Sequence, residues 1–419
     1  MKVLYLSQAG AIGGAERVLL DLIATVHEQQ PSWQGLLIVP GSGGLIDEAQ
    51  GLGIEHRVVP FPPSLASLGD ADGSMSDGGA FIRRWRAVGR LGASTPAIIG
   101  YTRELARAIR AFQPDVIHAN GFKMHLLGAR AATADSAVLW HLHDYLRSRP
   151  LIRPLLRMHR KRCAMVVANS QSVADDAQPE LGDALPMRTI YNGINLERFA
   201  PEGSMLDLDT LCGLGLSNGE IVRVGMLATA ARWKGHEVFL RALSMLPTNL
   251  KVRAYVIGGP IYQTGGSQFT MAELHAMADN LGVRERVGFT DYLAEVPAVL
   301  RSLDIVVHAS TKPEPFGLVV VEGMASGRAV IASAAGGVTE LIEDGSNAMV
   351  HRPGDAQGLA RAIERLVTDR DLRLRLGANG RRTAEGRFDR KRMGAEFASI
   401  YESLAVPRAG GVRAAPAHS

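Results

Sequence analysis

At 419 residues the chain is longer than one ordinary hydrophobic core supports, so two domains are expected. Hydrophobic residues make up 46% and charged residues 21%, the balance of an ordinary globular protein, and a net charge of +4 gives no global attraction to nucleic acid. Cys163 and Cys212 are the two cysteines and stand far apart, which excludes a disulfide scaffold and a cysteine-based zinc site and fits a reducing cytosol.

The opening residues Met1-Lys-Val-Leu-Tyr-Leu-Ser7 are too short for a leader's apolar core and read as a first strand. No apolar run approaches the ~18 residues that span a bilayer, so a cytoplasmic protein, soluble or peripheral at the inner membrane face, is expected. Strand-like runs at 3–6, 35–39, 116–118, 138–141 and 165–168 alternate with helical patterns at 15–28 and 102–112. That alternation predicts βαβ units and a parallel sheet with ligands at the carboxyl ends of its strands. Within the series, 60–96 reads as a long insertion containing the basic run Arg83-Arg84-Trp85-Arg86.

From Arg147 to Arg162 there are seven cations (Arg147, Arg149, Arg153, Arg157, Arg160, Lys161 and Arg162) and no acidic residue. Leu151, Ile152, Leu155, Leu156 and Met158 interleave with them. Two readings fit: a solvated helix face, or a basic amphipathic helix resting on an anionic membrane. Tyr191-Asn-Gly-Ile-Asn195-Leu-Glu-Arg-Phe199-Ala-Pro201 is turn-rich and reads as the interdomain hinge. A second α/β series follows, with strands at 221–227, 252–257, 287–289, 305–308 and 329–332. Residues 390–404 read as a helix, and the Ala/Gly/Pro-rich tail after it as disordered.

The most informative stretch is Lys312-Pro-Glu314-Pro-Phe316-Gly317-Leu318-Val319-Val-Val-Glu322-Gly-Met-Ala-Ser-Gly327. It follows a strand and opens a helix near Gly317, whose first turn carries no charge. The N–H groups of Gly317, Leu318 and Val319 are therefore expected as free donors at the positive end of a helix dipole, suited to a phosphate. Glu322 lies about a turn inside, ~6–8 Å along the axis, and leans back toward that end. Two carboxylates thus flank an anion site, a pattern that suits a sugar nucleotide.

The string resembles the Glu-x7-Glu signature of glycosyltransferase family 4, retaining enzymes of the GT-B fold. That resemblance implies two facing Rossmann-like domains with parallel sheets and a cleft between them. The first would cover 1–195 and the second, nucleotide-sugar-binding domain 196–387. A last helix at about 388–405 would return to the first domain, leaving 406–419 as tail. It further implies that Glu314 meets a donor-sugar hydroxyl and Glu322 the ribose, while the backbone from Phe316 to Val319 meets sugar and phosphate.

Other motifs join this reading. Gly13-Gly14-Ala-Glu16-Arg17 opens the first helix and resembles the family's first-loop motif, where backbone approaches phosphate and acceptor. It is not G-x-G-x-x-G, which sets a dehydrogenase aside. His143-Asp144 matches the family's His-Asp pair, with His143 reaching the donor sugar. The adjacent Asp144 favours its charged form unless burial opposes it. His141 and His118 end strands of the same domain and are further candidates. Arg232 and Lys234, before Gly235, are cations placed for a diphosphate. Met226 stands where the family often has Arg, so whether Arg232 replaces that charge stays open. Asn195 stands where Asp is usual in the linker, a mild departure.

These residues predict a transferase that needs no metal and no cofactor, its substrate being a UDP- or GDP-sugar and its acceptor a glycan, lipid-linked or small-molecule hydroxyl, and the family resemblance implies that the anomeric configuration is retained. Glu314, His143, Arg232 and Lys234 form its catalytic set. The donor set is Gly13, Gly14, Asp144, Phe316, Gly317, Leu318, Val319 and Glu322. Asp70-Ala-Asp72 and Asp207-Leu-Asp209 have a metal-binding spelling but lie in loop and linker sequence. A sugar-nucleotide epimerase and a catalytically silent nucleotide-sugar binder are the alternatives. Membrane contact would run through 147–162, and no nucleic acid is expected.

Overall fold

The computed structural model describes residues 1–66, 95–215, 220–260 and 267–405. Its first sheet has seven strands: β1 (Lys2–Ser7), β2 (Gln34–Val39), β3 (His56–Val58), β4 (Val116–Asn120), β5 (Ala137–Leu142), β6 (Met165–Ala168) and β7 (Met187–Thr189). They lie in the order β3-β2-β1-β4-β5-β6-β7 and every pair is parallel. The second sheet has β8 (Val222–Leu227), β9 (Val252–Ile257), β10 (Val287–Thr290), β11 (Ile305–His308), β12 (Ala329–Ser333) and β13 (Met349–His351). Its order is β10-β9-β8-β11-β12-β13, again all parallel.

The central strands are apolar over nearly their whole length because helices cover both faces of each sheet. β4 is buried at all five positions, and β11 at all four. Leu4 and Leu6 face one layer of the first domain with Leu105, Ile109 and Leu127; Val3 and Tyr5 face the other with Leu19, Leu22 and Ile23. In both sheets the strand order reverses once, between β1 and β4 and between β8 and β11. Loops diverge there and leave a crevice at the carboxyl ends of the strands.

The chain crosses between domains twice, at one place. Ile194 N–H donates to the Phe388 carbonyl (2.8 Å), and Arg390 N–H donates to Ile194 (3.0 Å). Asn195 Oδ1 accepts from the N–H groups of Glu197 and Arg198, each at 3.0 Å, so the amide performs the turn-closing task an aspartate would. The helix Arg390–Leu404 runs back onto the first domain, burying Met393, Phe397, Ile400 and Tyr401 against Val3 and Tyr5.

The basic segment is a helix only from Ile152 to His159, followed by a 3-10 turn at Arg160–Arg162. Among the described residues, Arg147, Arg149, Arg153 and Arg157 have acidic partners. Arg153 and Arg157 reach Glu180 (3.2 and 3.7 Å), Arg147 reaches Glu180 and Asp176 (3.7 and 3.9 Å), and Arg149 reaches Asp144 (2.6 Å). Lys161, Arg162, Leu151 and Met158 are exposed.

Asp207 caps the turn Leu208–Leu211, and Asp209 accepts from Tyr255 (2.6 Å) and pairs with Arg253 and Arg223 (2.8 and 3.0 Å). Both are thus structural. Asp70-Ala-Asp72, the run at Arg83–Arg86, most of the 60–96 insertion and the tail 406–419 lie outside the described residues. No helix among the described residues is long and apolar enough to cross a membrane.

Candidate active site

The loops after β8 and β11 meet at the second reversal point. Thr311 N–H and Oγ1 both donate to the Trp233 carbonyl (2.7 and 3.1 Å), clipping one loop to the other. Gly235 closes the β8 loop at φ +88°, and a Cβ there would overlap the Ala309 carbonyl oxygen, so only glycine allows this approach. The clip carries Lys234 to Glu314: Nζ lies 2.7 Å from Oε1.

Glu314 is buried and held from three sides. Its Oε2 lies 2.7 Å from His308 Nε2 and accepts from Ser310 Oγ at 2.8 Å. Burial alone would raise its pKa, but Lys234 and His308 outweigh that and hold it well below the usual carboxylate range. The carboxylate is therefore ionised, and His308 Nε2 is the donor. Most of its accepting capacity is spent within the protein.

Arg232 lies elsewhere. Its guanidinium pairs with Glu273 (2.7 Å), stacks 4.2 Å from the Phe269 ring centroid and is 45% exposed. The cation that joins Glu314 is Lys234.

Three residues beyond Glu314, Gly317 adopts φ +96° and caps the helix Leu318–Ala325. A Cβ there would also sit 2.8 Å from Val338 Cγ2. Val320 N–H turns back to the Gly317 carbonyl (3.0 Å), and no acceptor among the described residues is bonded to the N–H groups of Gly317, Leu318 or Val319. The Phe316 side chain is core, packed against Tyr191 and Phe388, so only its backbone is placed for a ligand.

Glu322 differs from Glu314. Among the described residues no hydrogen bond or ion pair reaches its carboxylate. Burial pushes its pKa up to about 7, Arg198 and Arg17 oppose the rise, and Asp21 adds to it. Arg17 itself is tied to Glu48, with Nη2 to Oε1 at 2.6 Å. The second motif carboxylate thus has no protein partner among the described residues, and burial raises its pKa toward neutrality.

The first domain contributes its own helix terminus. Gly13 N–H donates to Glu16 Oε2 (3.2 Å), closing the start of the helix Gly14–Gln29. A Cβ on Gly14 would come within 3.1 Å of Leu318 Cδ1, so the N-termini of the Gly14 and Leu318 helices face each other across the cleft.

The His143 ring packs on His141, with centroids 3.9 Å apart. Burial lowers its pKa to about 3, with His125 acting in the same direction, so it is neutral at pH 7. Asp144 does not oppose this: it pairs with Arg149 (2.6 Å) and accepts from Tyr145 N–H (2.8 Å). Burial, the exception in the sequence argument, decides the charge state. His118 and His141 are fully buried; His118 Nδ1 lies 2.7 Å from Tyr401 Oη and its Nε2 lies 3.2 Å from His141 Nδ1, a core network.

Sequence reasoning missed His308, Ser310, Tyr145 and Glu340. His308 ends β11 as His141 ends the central stretch of β5, so the argument that singled out strand-end histidines in the first domain applies equally to it. Tyr145 Oη donates to the Glu314 carbonyl (3.2 Å), a contact across domains with no local signature.

The family model for glycosyltransferase family 4 matches residues 12–198, and that for glycosyl transferases group 1 matches 216–383. The lipopolysaccharide core biosynthesis glycosyltransferase LpsD of Rhizobium meliloti is 28% identical over 403 residues, covering 96% of this chain and 98% of LpsD. LpsE of the same organism, also a lipopolysaccharide core biosynthesis glycosyltransferase, is 30% identical over 227 residues, covering 54% of this chain and 60% of LpsE. The crystal structure of HepE from Anabaena in complex with UDP-glucose superposes with a TM-score of 0.76 at 27% identity, covering 96% of this chain and all of that one. The architecture is the GT-B arrangement of two facing Rossmann-like domains.

Proposed function

Because the chain belongs to glycosyltransferase family 4, we propose that it is a retaining transferase moving a sugar from a nucleotide diphosphate to an acceptor hydroxyl without a metal. One observation carries the reading. An ionised Glu314 locked by Lys234, His308 and Ser310, and a Glu322 with no partner among the described residues, lie at one helix N-terminus that has no side-chain cap, at the strand-order reversal.

In this scheme the diphosphate lies on the N–H groups of Gly317, Leu318 and Val319, and Glu322 accepts from the ribose hydroxyls. Lys234 offsets the charge that grows on the departing diphosphate, while Glu314 holds Lys234 in place and offers its remaining lone pair to a sugar hydroxyl. Neutral His143 approaches the sugar from the first domain. The acceptor oxygen attacks the anomeric carbon on the face the diphosphate leaves, the bond from that carbon to the diphosphate oxygen breaks, and the hydroxyl proton passes to the departing phosphate. No protein nucleophile takes part. Arg232, occupied by Glu273, shapes the loop, and Lys234 carries its charge role.

The UDP-glucose held by HepE supports a UDP-sugar donor. The names of LpsD and LpsE support a saccharide acceptor on a lipid. Contact with an anionic membrane through Lys161, Arg162, Leu151 and Met158 fits that acceptor. A thermal-shift series with UDP-glucose, UDP-galactose, GDP-mannose and the bare nucleotides tests the donor: ligand at 100 times its dissociation constant stabilises by about 2.7 kcal/mol. A series with no shift for any nucleotide sugar would overturn the reading.

A further inference from the structure

The second domain reaches across the cleft at one further point. Glu340 Oε2 accepts from Gln171 N–H (2.8 Å) and Oε1 from Ser172 N–H (2.7 Å), at the start of the helix Gln171–Leu181 in the first domain. Ser170 Oγ accepts from Val173 N–H (3.1 Å). The first three N–H groups of that helix are therefore satisfied, one by its own domain and two by the other. A carboxylate suits this end because the helix dipole and two charge-assisted bonds favour it together.

The turn that carries Glu340 is built onto the Glu314 loop. Gly336 forms a parallel bridge with Glu314, and Gly337 N–H donates to the Glu314 carbonyl (2.8 Å). The same carbonyl accepts from Tyr145 Oη (3.2 Å), and Tyr145 Oη lies 2.9 Å from Ser172 Oγ. A Cβ on Gly336 would overlap Tyr145 Oη, and one on Gly337 would come within 3.0 Å of Ser170 Cβ. Glycine at both places lets the turn lie against the first domain. Arg387 Nη2 donates to the Glu340 carbonyl (2.8 Å) and ties the turn back to its own domain.

We infer that Glu340 is a positioning residue: it latches the second domain to the Gln171–Leu181 helix and, with Tyr145, fixes where the Glu314 loop stands against the first domain. The inference rests on the transfer site lying in the cleft between the domains. Opening that cleft breaks the Gln171, Ser172 and Tyr145 bonds together, so domain closure and the placement of Glu314 are one event. Glutamine at 340 keeps the size but removes the charge and turns an NH2 toward a backbone N–H.

The test compares the full-length wild-type chain with Glu340→Gln, Tyr145→Phe and, as control, Glu343→Gln, an exposed carboxylate in the same loop. Three measurements are made: small-angle scattering with and without UDP-glucose, UDP binding by calorimetry, and turnover of UDP-glucose. Glu340→Gln should scatter as a more expanded particle that UDP-glucose recompacts. With two charge-assisted bonds lost, kcat should fall about tenfold or more while the UDP dissociation constant stays within about twofold. Tyr145→Phe should shift kcat in the same direction, and Glu343→Gln should match wild type. Scattering identical to wild type together with unchanged kcat in both Glu340→Gln and Tyr145→Phe would overturn the latch. Should Glu340→Gln fail to fold, Tyr145→Phe alone decides by the same readouts. Scattering needs no turnover, so an expanded Glu340→Gln in a chain inert toward every nucleotide sugar would keep the latch and sink the transferase reading.

Discussion

Lys234 Nζ and Glu314 Oε1 stand 2.7 Å apart, joining the loop after β8 to the loop after β11 through one largely buried ion pair. The cation and the first motif carboxylate are therefore one unit, and each is set in place by the other. This makes the roles of the two motif glutamates unequal: Glu314 is structurally committed, whereas no partner among the described residues claims Glu322.

Glu314→Ala leaves Lys234 and His308 without their acceptor, and breaking such a buried pair costs on the order of 3–5 kcal/mol. Urea denaturation should show that loss, while UDP binding persists and transfer falls. A wild-type unfolding midpoint would contradict the ion pair. Because the folded pKa of Glu314 is depressed, its contribution is present above the unfolded carboxylate value of about 4.3 and is lost as pH falls below it. Wild type should lose stability below about pH 4 more steeply than Glu314→Gln.

Glu322→Gln should weaken nucleotide binding by about 1.5–3 kcal/mol, the worth of a hydrogen bond to a charged acceptor. Its pKa near 7 adds a pH signature. Because the folded value is raised, the fold loses stability as pH rises from the unfolded value toward about 7, so the variant should melt higher than wild type at pH 8. Wild-type affinity for UDP should drop as pH falls from 8 to 6, and the variant's should not. Calorimetry across that range decides; a flat wild-type profile removes the ribose role.

Lys234→Ala should slow transfer by about 10²–10³-fold if the ammonium stabilises the departing diphosphate as a lost oxyanion donor would. Arg232→Ala should cost far less, since its guanidinium pairs with Glu273 and not with Glu314. Transfer should persist in EDTA, and a complete loss restored by added metal would overturn the metal-free mechanism.

Vesicle binding should depend on Lys161 and Arg162, each worth up to ~1 kcal/mol at an anionic surface. Reversing both charges should abolish cosedimentation with anionic liposomes, and Arg153→Gln with Arg157→Gln should matter less, because Glu180 offsets part of their charge. Wild-type protein that ignores anionic vesicles at low salt would favour a soluble acceptor.

The strands with long apolar runs were legible from residues alone. β1, β2, β4, β5, β6 and the five strands β8 to β12 fall within a residue or two of their sequence boundaries, because burial on both faces demands continuous β-branched and aliphatic residues. β3, β7 and β13 were not read: each has three residues and partly exposed positions, too short to carry a pattern. The helix starting at Gly317 was legible in the same way, since a left-handed cap needs glycine.

The site divides along the same line. Sequence determined which residues stand at the strand ends where the sheet order reverses, since the motif, its spacing and the glycines are local. It did not determine who pairs with whom. The acidic neighbours of Arg147, Arg153 and Arg157 come from Gln171–Leu181, the partner of Arg232 comes from the Met271–Asn280 helix, and Glu314 is gripped by His308 from β11 and Lys234 from across the β8 loop. Charge states followed the pairing: one motif carboxylate is held ionised by its neighbours, and the other is left near neutral pH by burial with no bonded partner among the described residues. A pKa depends on desolvation and on charges a few ångströms away, and both exist only once separate segments have been packed together.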